Sequence, residues 1–191
     1  MTSRPPGMPE PSLTLSIPPD GVSDGTILLR VPTVHDLDAI VPAFADPETR
    51  EAGNLPAFRR DELLASLPHL PALAASGRLL PLVAVEAATR EIVGGGTLHH
   101  LDAERGIVEI GYWVLAHARR RGFATRVARL LAEHAFSLGV ERVAAYVNLD
   151  NPASGRVLER AGFTREGVVR SLPKPDGRRV DKTLFSLLPG E

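Results

Sequence analysis

The chain has 191 residues, with 22 basic and 23 acidic side chains and a formal charge of -1, which leaves room for one domain of ordinary size and none for a second. That near-neutral balance creates no global field to steer the protein towards nucleic acid or an anionic membrane, so any basic function must be local. The absence of cysteine excludes a disulfide framework, a thiolate nucleophile and a Cys-bearing zinc site, and suits a cytoplasmic protein.

Residues 1–22 are crowded with proline, which removes backbone donors and restricts helix, so a flexible leader is expected ahead of a domain spanning 23–191. No signal peptide is recognisable, and no run approaches the ~18 apolar residues of a membrane span. "TILLRVPT" reads as a first strand, and "VHDLDAIVPAFAD" as a helix with Leu37, Ile40, Val41 and Phe44 on one stripe. A second helical region, "RRDELLASLPHLPALAASG", is expected to kink or split at Pro68 and Pro71. The period then changes: "LPLVAVEA", "EIVGGGTLHHL" and "GIVEIGYWVLA" are short β-branched or aromatic runs bounded by turn residues, as antiparallel strands would be.

Beyond Gly122, Phe123, Val127, Leu130, Leu131 and Leu138 recur at helical spacing, with Arg126, Arg129, Glu133 and Ser137 on the other side and Gly139 as a stop. "RVAAYVN" reads as a buried strand. In "DNPASGRVLERAG", Asn151 is a natural N-cap, Pro152 suits the first helical turn and Gly162 lies just past the end. The tail from Glu166 to Leu188 reads as two strands joined by a loop containing Asp176-Gly177.

"RRRGFAT", from Arg119 to Thr125, opens the amphipathic helix. The first turn of a helix carries unpartnered N–H groups and the positive end of the dipole, and glycine there lets a ligand approach the backbone. The stretch therefore reads either as arginines solvating a helix start or as a phosphate cradle. There is no G-x-x-x-x-G-K-[ST], and "GGGTLHH" is neither a G-x-G-x-x-G nor followed by a helix.

Arg119-x-x-Gly122-x-Ala124, between strand and helix, is similar to the acyl-CoA signature of the GCN5-related N-acetyltransferases (GNAT). "EIGYWV", "NLDNPASGRVLERAGF" and "REGVVR" resemble the RimJ/RimL-like branch of that superfamily. The resemblance implies an α/β (α+β) single domain: a mixed, mostly antiparallel sheet flanked by helices, with a splayed-strand cleft for acetyl-CoA and a bulge in the strand before the signature. It implies acetyl transfer to a primary amine by direct attack in a ternary complex, with no metal, the acceptor being a peptide N-terminus or a small molecule. Relatives often dimerise, and a sheet edge near the C-terminus would be the seam.

Carried over by position, the backbone of Trp113, Val114 and Ala116 would meet the pantetheine, with Val114 N–H also stabilising charge on the acetyl oxygen. The pyrophosphate would rest on Arg120, Arg121, Gly122, Phe123, Ala124 and Thr125, with Arg119 or Arg121 as charge partner. Asn148 and Asn151 match polar positions beside the cofactor. Glu109 is the candidate base, acting directly or through a water, and Ser154 could hydrogen-bond the departing sulfur. Leu158 stands near the position where many relatives carry a tyrosine acid.

Other residues read more plainly. His99 and His100 are strand neighbours expected on opposite faces, unable to share a metal. His134 is expected in the core, as are Tyr112 and Trp113, and Gly94 to Gly96 suggest close backbone approach or a bulge. The alternatives are transfer of another acyl group such as succinyl, a non-catalytic acyl-CoA-binding regulatory module, and RNA binding through Arg119 to Arg121 with Arg178 and Arg179, which the net charge disfavours.

Overall fold

A computed structural model describes residues 13–53, 55–174 and 176–191. The chain enters through two short strands, β1 (Val22–Ser23) and β2 (Ile27–Arg30), and four helices, α1 (Leu37–Ala45), α2 (Pro47–Gly53), α3 (Arg60–Ser66) and α4 (Leu70–Ala75). Three strands follow: β3 (Leu79–Glu86), β4 (Ile92–Asp102) and β5 (Ile107–Val114). The chain then continues through α5 (Phe123–Ser137), β6 (Arg142–Asn148), α6 (Pro152–Ala161), β7 (Thr164–Pro173) and β8 (Arg179–Leu187).

All eight strands form one sheet in the order β1-β2-β3-β4-β5-β6-β8-β7. Every neighbouring pair is antiparallel except β5 with β6. Strand alternation sends side chains to two cores. Leu82, Ala84 and Ile110 join α5 and α6 on one face, while Val83, Val85 and Trp113 meet Leu37 and Ile40 of α1 on the other. The expected split of the second helical region is real: α3 ends before Pro68, a 3₁₀ turn spans Leu67–His69, and α4 begins at Leu70.

The boundary of the leader shifts. Residues 1–12 lie outside the described residues, but Leu15 is buried in the larger core and His134 Nε2 donates to the Ser16 carbonyl at 2.6 Å. The chain is thus anchored to α5 before residue 22, because an apolar Leu15 has a core to enter. His134 is the core histidine that its place on the apolar face implied.

The glycine run permits close approach and begins at an irregularity, since Ala84 pairs with Gly94 but Val85 with Ile92, leaving Val93 as an extra residue in β4. A Cβ on Gly95 would lie 2.5 Å from the Leu82 carbonyl and 2.8 Å from the Trp113 indole, and one on Gly96 would lie 2.6 Å from Leu131 of α5. Gly95→Ala is expected to cost about 1–3 kcal/mol, as overpacking of a filled interior does. Urea unfolding checks this, and an unchanged midpoint would show that the indole moves aside freely.

Candidate active site

The parallel β5–β6 ladder is short. Pairing runs from Ile107↔Arg142 to Glu109↔Ala144 and then stops, although both strands continue. Beyond Glu109 the two strands part, and the cleft between them is the expected splay. The bulge is not in β5: the register shift lies between His99 and Asp102 of β4, opposite an unbroken β5.

That displacement changes the histidines. His100 has φ +52, and the irregular backbone defeats the simple alternation that would put His99 and His100 on opposite faces. Both imidazoles turn to Glu109, with His99 Nε2 at 3.5 Å and His100 Nδ1 at 3.4 Å from its Oε2. One ligand atom from each of the three residues lies within 4.8 Å of the others, so the expectation that the histidines point apart and cannot share a metal is corrected. Burial pushes the Glu109 carboxyl up, but the His99 hydrogen bond and the charges of His99 and His100 outweigh it and hold the pKa below the usual glutamate value. Thr97 Oγ1, 3.1 Å from His99 Nδ1, fixes that ring. The cluster lines a cleft of about 690 Å³ with Arg78, Tyr146, Leu172 and Lys182.

A second cleft of about 530 Å³ lies on the other side of Tyr112 and Trp113, which border both. Its walls are β5, the start of α5, and α6. Leu115 N–H donates to the Val93 carbonyl at 2.9 Å, while Gly94 faces Val114 in the register. Since ladder bonds alternate along an antiparallel strand, the N–H and C=O of Val114 point away from β4, into the gap where β6 has left. Trp113 turns its own backbone groups back towards β4, so Tyr112 and Val114, not Trp113, offer main-chain groups to this cleft. Ala116 is outside its lining.

At the start of α5, Gly122 is the N-cap with φ +82, and no side chain caps the first turn. Nothing lies within 4 Å of where a Gly122 Cβ would be. Gly122, Phe123, Ala124 and Thr125 line the cleft with their amides facing no intrahelical acceptor. These residues fit a diphosphate, because open amides at the positive end of a 15-residue helix form an anion site.

The arginines divide. Arg119 borders the cleft but clamps α2, meeting Glu48 at 2.7 Å, Thr49 Oγ1 at 2.9 Å and Asp46 at 3.3 Å. Arg121 is outside the lining; it pairs with Glu86 at 2.6 Å and covers the Phe123 ring. Of the two expected charge partners, Arg119 borders the cleft and Arg121 does not, and acids engage both. Arg120, Arg156 and Arg160 line the same cleft and form no ion pair among the described residues. Their i, i+4 spacing on α6 was the available signal for Arg156 and Arg160.

Ser154 and Asn151 line this cleft, and Asn151 Oδ1 caps α6 by accepting from Ser154 N–H at 3.1 Å. Asn148 lies outside it, with Nδ2 donating to the Glu51 carbonyl at 3.2 Å. Ser154 Oγ is 2.7 Å from the Tyr112 hydroxyl, which also reaches the Ser154 carbonyl at 3.0 Å. Burial pushes the Tyr112 phenol up to about 12, so it stays protonated and serves as a donor. Tyr112 therefore has a polar task that its reading as core missed, whereas Leu158 is fully buried among apolar neighbours.

The model of the "Acetyltransferase (GNAT) domain" family matches residues 26–164. The chain is 30% identical over 164 residues to the uncharacterized N-acetyltransferase YoaA of Bacillus subtilis (strain 168), covering 85% of this chain and 93% of that one. Among solved structures it is similar to Mycobacterium smegmatis RimJ in complex with CoA-disulfide, with TM-score 0.75 and 25% identity over 90% of this chain and 84% of that one. It also resembles the microcin C7 self-immunity acetyltransferase MccE in complex with acetyl-CoA and AMP, with TM-score 0.76 and 22% identity over 93% and 98%. Matched over most of its length and carrying the splayed cleft, the chain belongs to the GNAT family of acetyl-CoA-dependent N-acetyltransferases.

Proposed function

We propose that the protein moves an acetyl group from acetyl-CoA to a primary amine by direct attack in a ternary complex, the acceptor being a peptide N-terminal α-amine or the amine of a small molecule. The observation that carries this is the pair of clefts meeting at Tyr112 and Trp113, one lined by open helix amides and arginines, the other by a carboxylate between two imidazoles. Bound acetyl-CoA supplies an acetyl group already activated as a thioester. Gly122 to Thr125, with Arg120, Arg156 and Arg160, hold the diphosphate, and Val114 and Tyr112 offer main-chain groups to the pantetheine arm. Without cysteine the chain has no thiol to carry the acetyl group itself.

An amine attacks only when neutral, yet α-amines have pKa values near ~8. Glu109, held as a carboxylate, draws the ammonium in, and two imidazoles stand beside it at 3.5 and 3.4 Å. A proton leaving the amine passes to this cluster, directly or through a water. Val114 N–H faces the gap where negative charge would gather on the acetyl oxygen. The Ser154 hydroxyl, oriented by Tyr112, is offered to the departing sulfur. A thiolate leaves readily, its parent thiol having a pKa near ~8.5, so a leucine at position 158 is no obstacle.

Equimolar appearance of free CoA and acetylated amine, with peptides of varied N-terminus and small amines as acceptors, tests the reading. Acetyl-CoA binding without amine-dependent release would replace it with a regulatory acyl-CoA-binding module. Of the arginines that RNA binding would use, Arg119 and Arg121 are engaged as described, Arg178 is paired with Asp176 at 2.7 Å, and Arg179 donates to Ser171 Oγ at 2.8 Å. A homodimer, if formed, would use the free edge of β7, where Val168 is exposed. Among the described residues no helix is long and apolar enough to cross a membrane.

A further inference from the structure

Lys182 lies in the middle of β8, opposite Asn148 of β6 and Val169 of β7. Only 4% of it is exposed, yet it forms no hydrogen bond or ion pair with any described residue. Every other buried ionisable side chain among the described residues has a partner. Asp36 is held by Arg30, Glu86 by Arg121, Lys174 by Glu51, and His134 by the Ser16 carbonyl. Lysine is almost never buried without a counter-charge, because removing an ammonium from water is costly, and here only the longer-range pull of Glu109 and Glu51 opposes that cost. Lys182 opens onto the Glu109 cleft, across from the His99, His100 and Glu109 cluster.

The acceptor cleft thus has two poles. One is the Glu109 carboxylate; the other is Lys182, with the Lys174 charge also acting on it. Leu172 and Pro173 add apolar wall. A polyamine entering this cleft would press a cation against Lys182. A molecule with an amine at one end and a carboxylate at the other would satisfy both poles. Building on the transferase reading above, we infer that the acceptor is an amine that also bears a carboxylate, its amine at the Glu109 pole and its carboxylate on Lys182. The carboxylate would be that of a free amino acid or of an acidic residue at a peptide N-terminus. In the free protein, burial and then the Lys174 charge push the Lys182 pKa down, against the opposing pull of Glu109 and Glu51. A bound carboxylate would favour the charged form again.

The test measures CoA release with acceptors matched except for one charge. β-Alanine is compared with β-alaninamide, and Asp-Ala-Ala-amide with Asn-Ala-Ala-amide, with spermidine as the polyamine. In at least one pair the acid is expected to exceed the amide in kcat/KM by about tenfold or more, the scale of a charged hydrogen bond, and Lys182→Met is expected to abolish that preference. The responding pair tells the free amino acid from the peptide. In parallel, wild-type protein carrying ¹³C-labelled lysine is titrated with glutarate, which has no amine to acetylate. A saturable shift of the Lys182 Cε resonance is expected. If the shift occurs but no amine releases CoA, the carboxylate site stands and the transferase reading falls. If amines turn over but acid and amide are equal, or spermidine is preferred, and glutarate leaves Lys182 unmoved, the inference is overturned while the transferase stands.

Discussion

Glu109→Gln is expected to lower kcat/KM for the amine by about 10²–10⁴-fold, the range a positioned proton acceptor supplies, while acetyl-CoA binds as before. The amide keeps the shape of the carboxylate but cannot hold the negative charge that His99 and His100 face at 3.5 and 3.4 Å. The amine then meets no attracting anion, and the two imidazoles lose the carboxylate that they face. Acetyl-CoA affinity is spared because Glu109 lines the acceptor cleft and not the cofactor cleft. The charge also has a stability consequence. The folded pKa of Glu109 is depressed, so its contribution is present above the unfolded value near ~4.3 and is lost as pH falls through the folded value. In the glutamine variant that part of the acid sensitivity should vanish. Steady-state kinetics with equilibrium binding, and acid unfolding of both proteins, check the two halves; loss of acetyl-CoA binding would mean that the clefts are misassigned.

Gly122→Glu is expected to weaken acetyl-CoA binding by on the order of 10–100-fold, the effect of placing an unscreened like charge beside a bound anion. Gly122 has φ +82, and no atom lies within 4 Å of its Cβ direction. A side chain therefore fits, at a cost of about 1–2 kcal/mol for the left-handed backbone. The carboxylate would stand before the open amides of Phe123 to Thr125, where the diphosphate is to rest. Gly122→Ala separates the causes, since it carries the same backbone strain without the charge. The alanine variant should bind nearly as well as the parent by calorimetry. Equal losses in the two variants would assign the effect to the loop's shape instead.

Much of this architecture was legible in the chain because it rests on local chemistry. The short β-branched runs between turn residues in β3 to β5, the apolar stripe of α5, Asn151 as a cap and the Pro68–Pro71 split are each properties of a few adjacent residues. α2 was missed because "PETREAG" has no apolar stripe to betray it. The signal present was Asp46-Pro47, a cap and first-turn pair, and Asp46 does accept from Thr49 N–H at 2.9 Å. Missing α2 hid the acids that engage Arg119, Asp46 and Glu48, which lie more than 70 positions away in sequence. The meeting of His99 and His100 depends on a register shift, and strand alternation predicts the opposite. Lys182 was invisible for a related reason: its isolation is a property of everything around it, which no single segment encodes.

The most direct measurement is an amide NMR titration of the ¹⁵N-labelled protein with acetyl-CoA. The account predicts saturable shifts at Val114 and from Gly122 to Thr125, with Arg156 and Arg160 of α6 following. Shifts confined to the Glu109 cleft, or a spectrum that acetyl-CoA leaves unchanged, would contradict it.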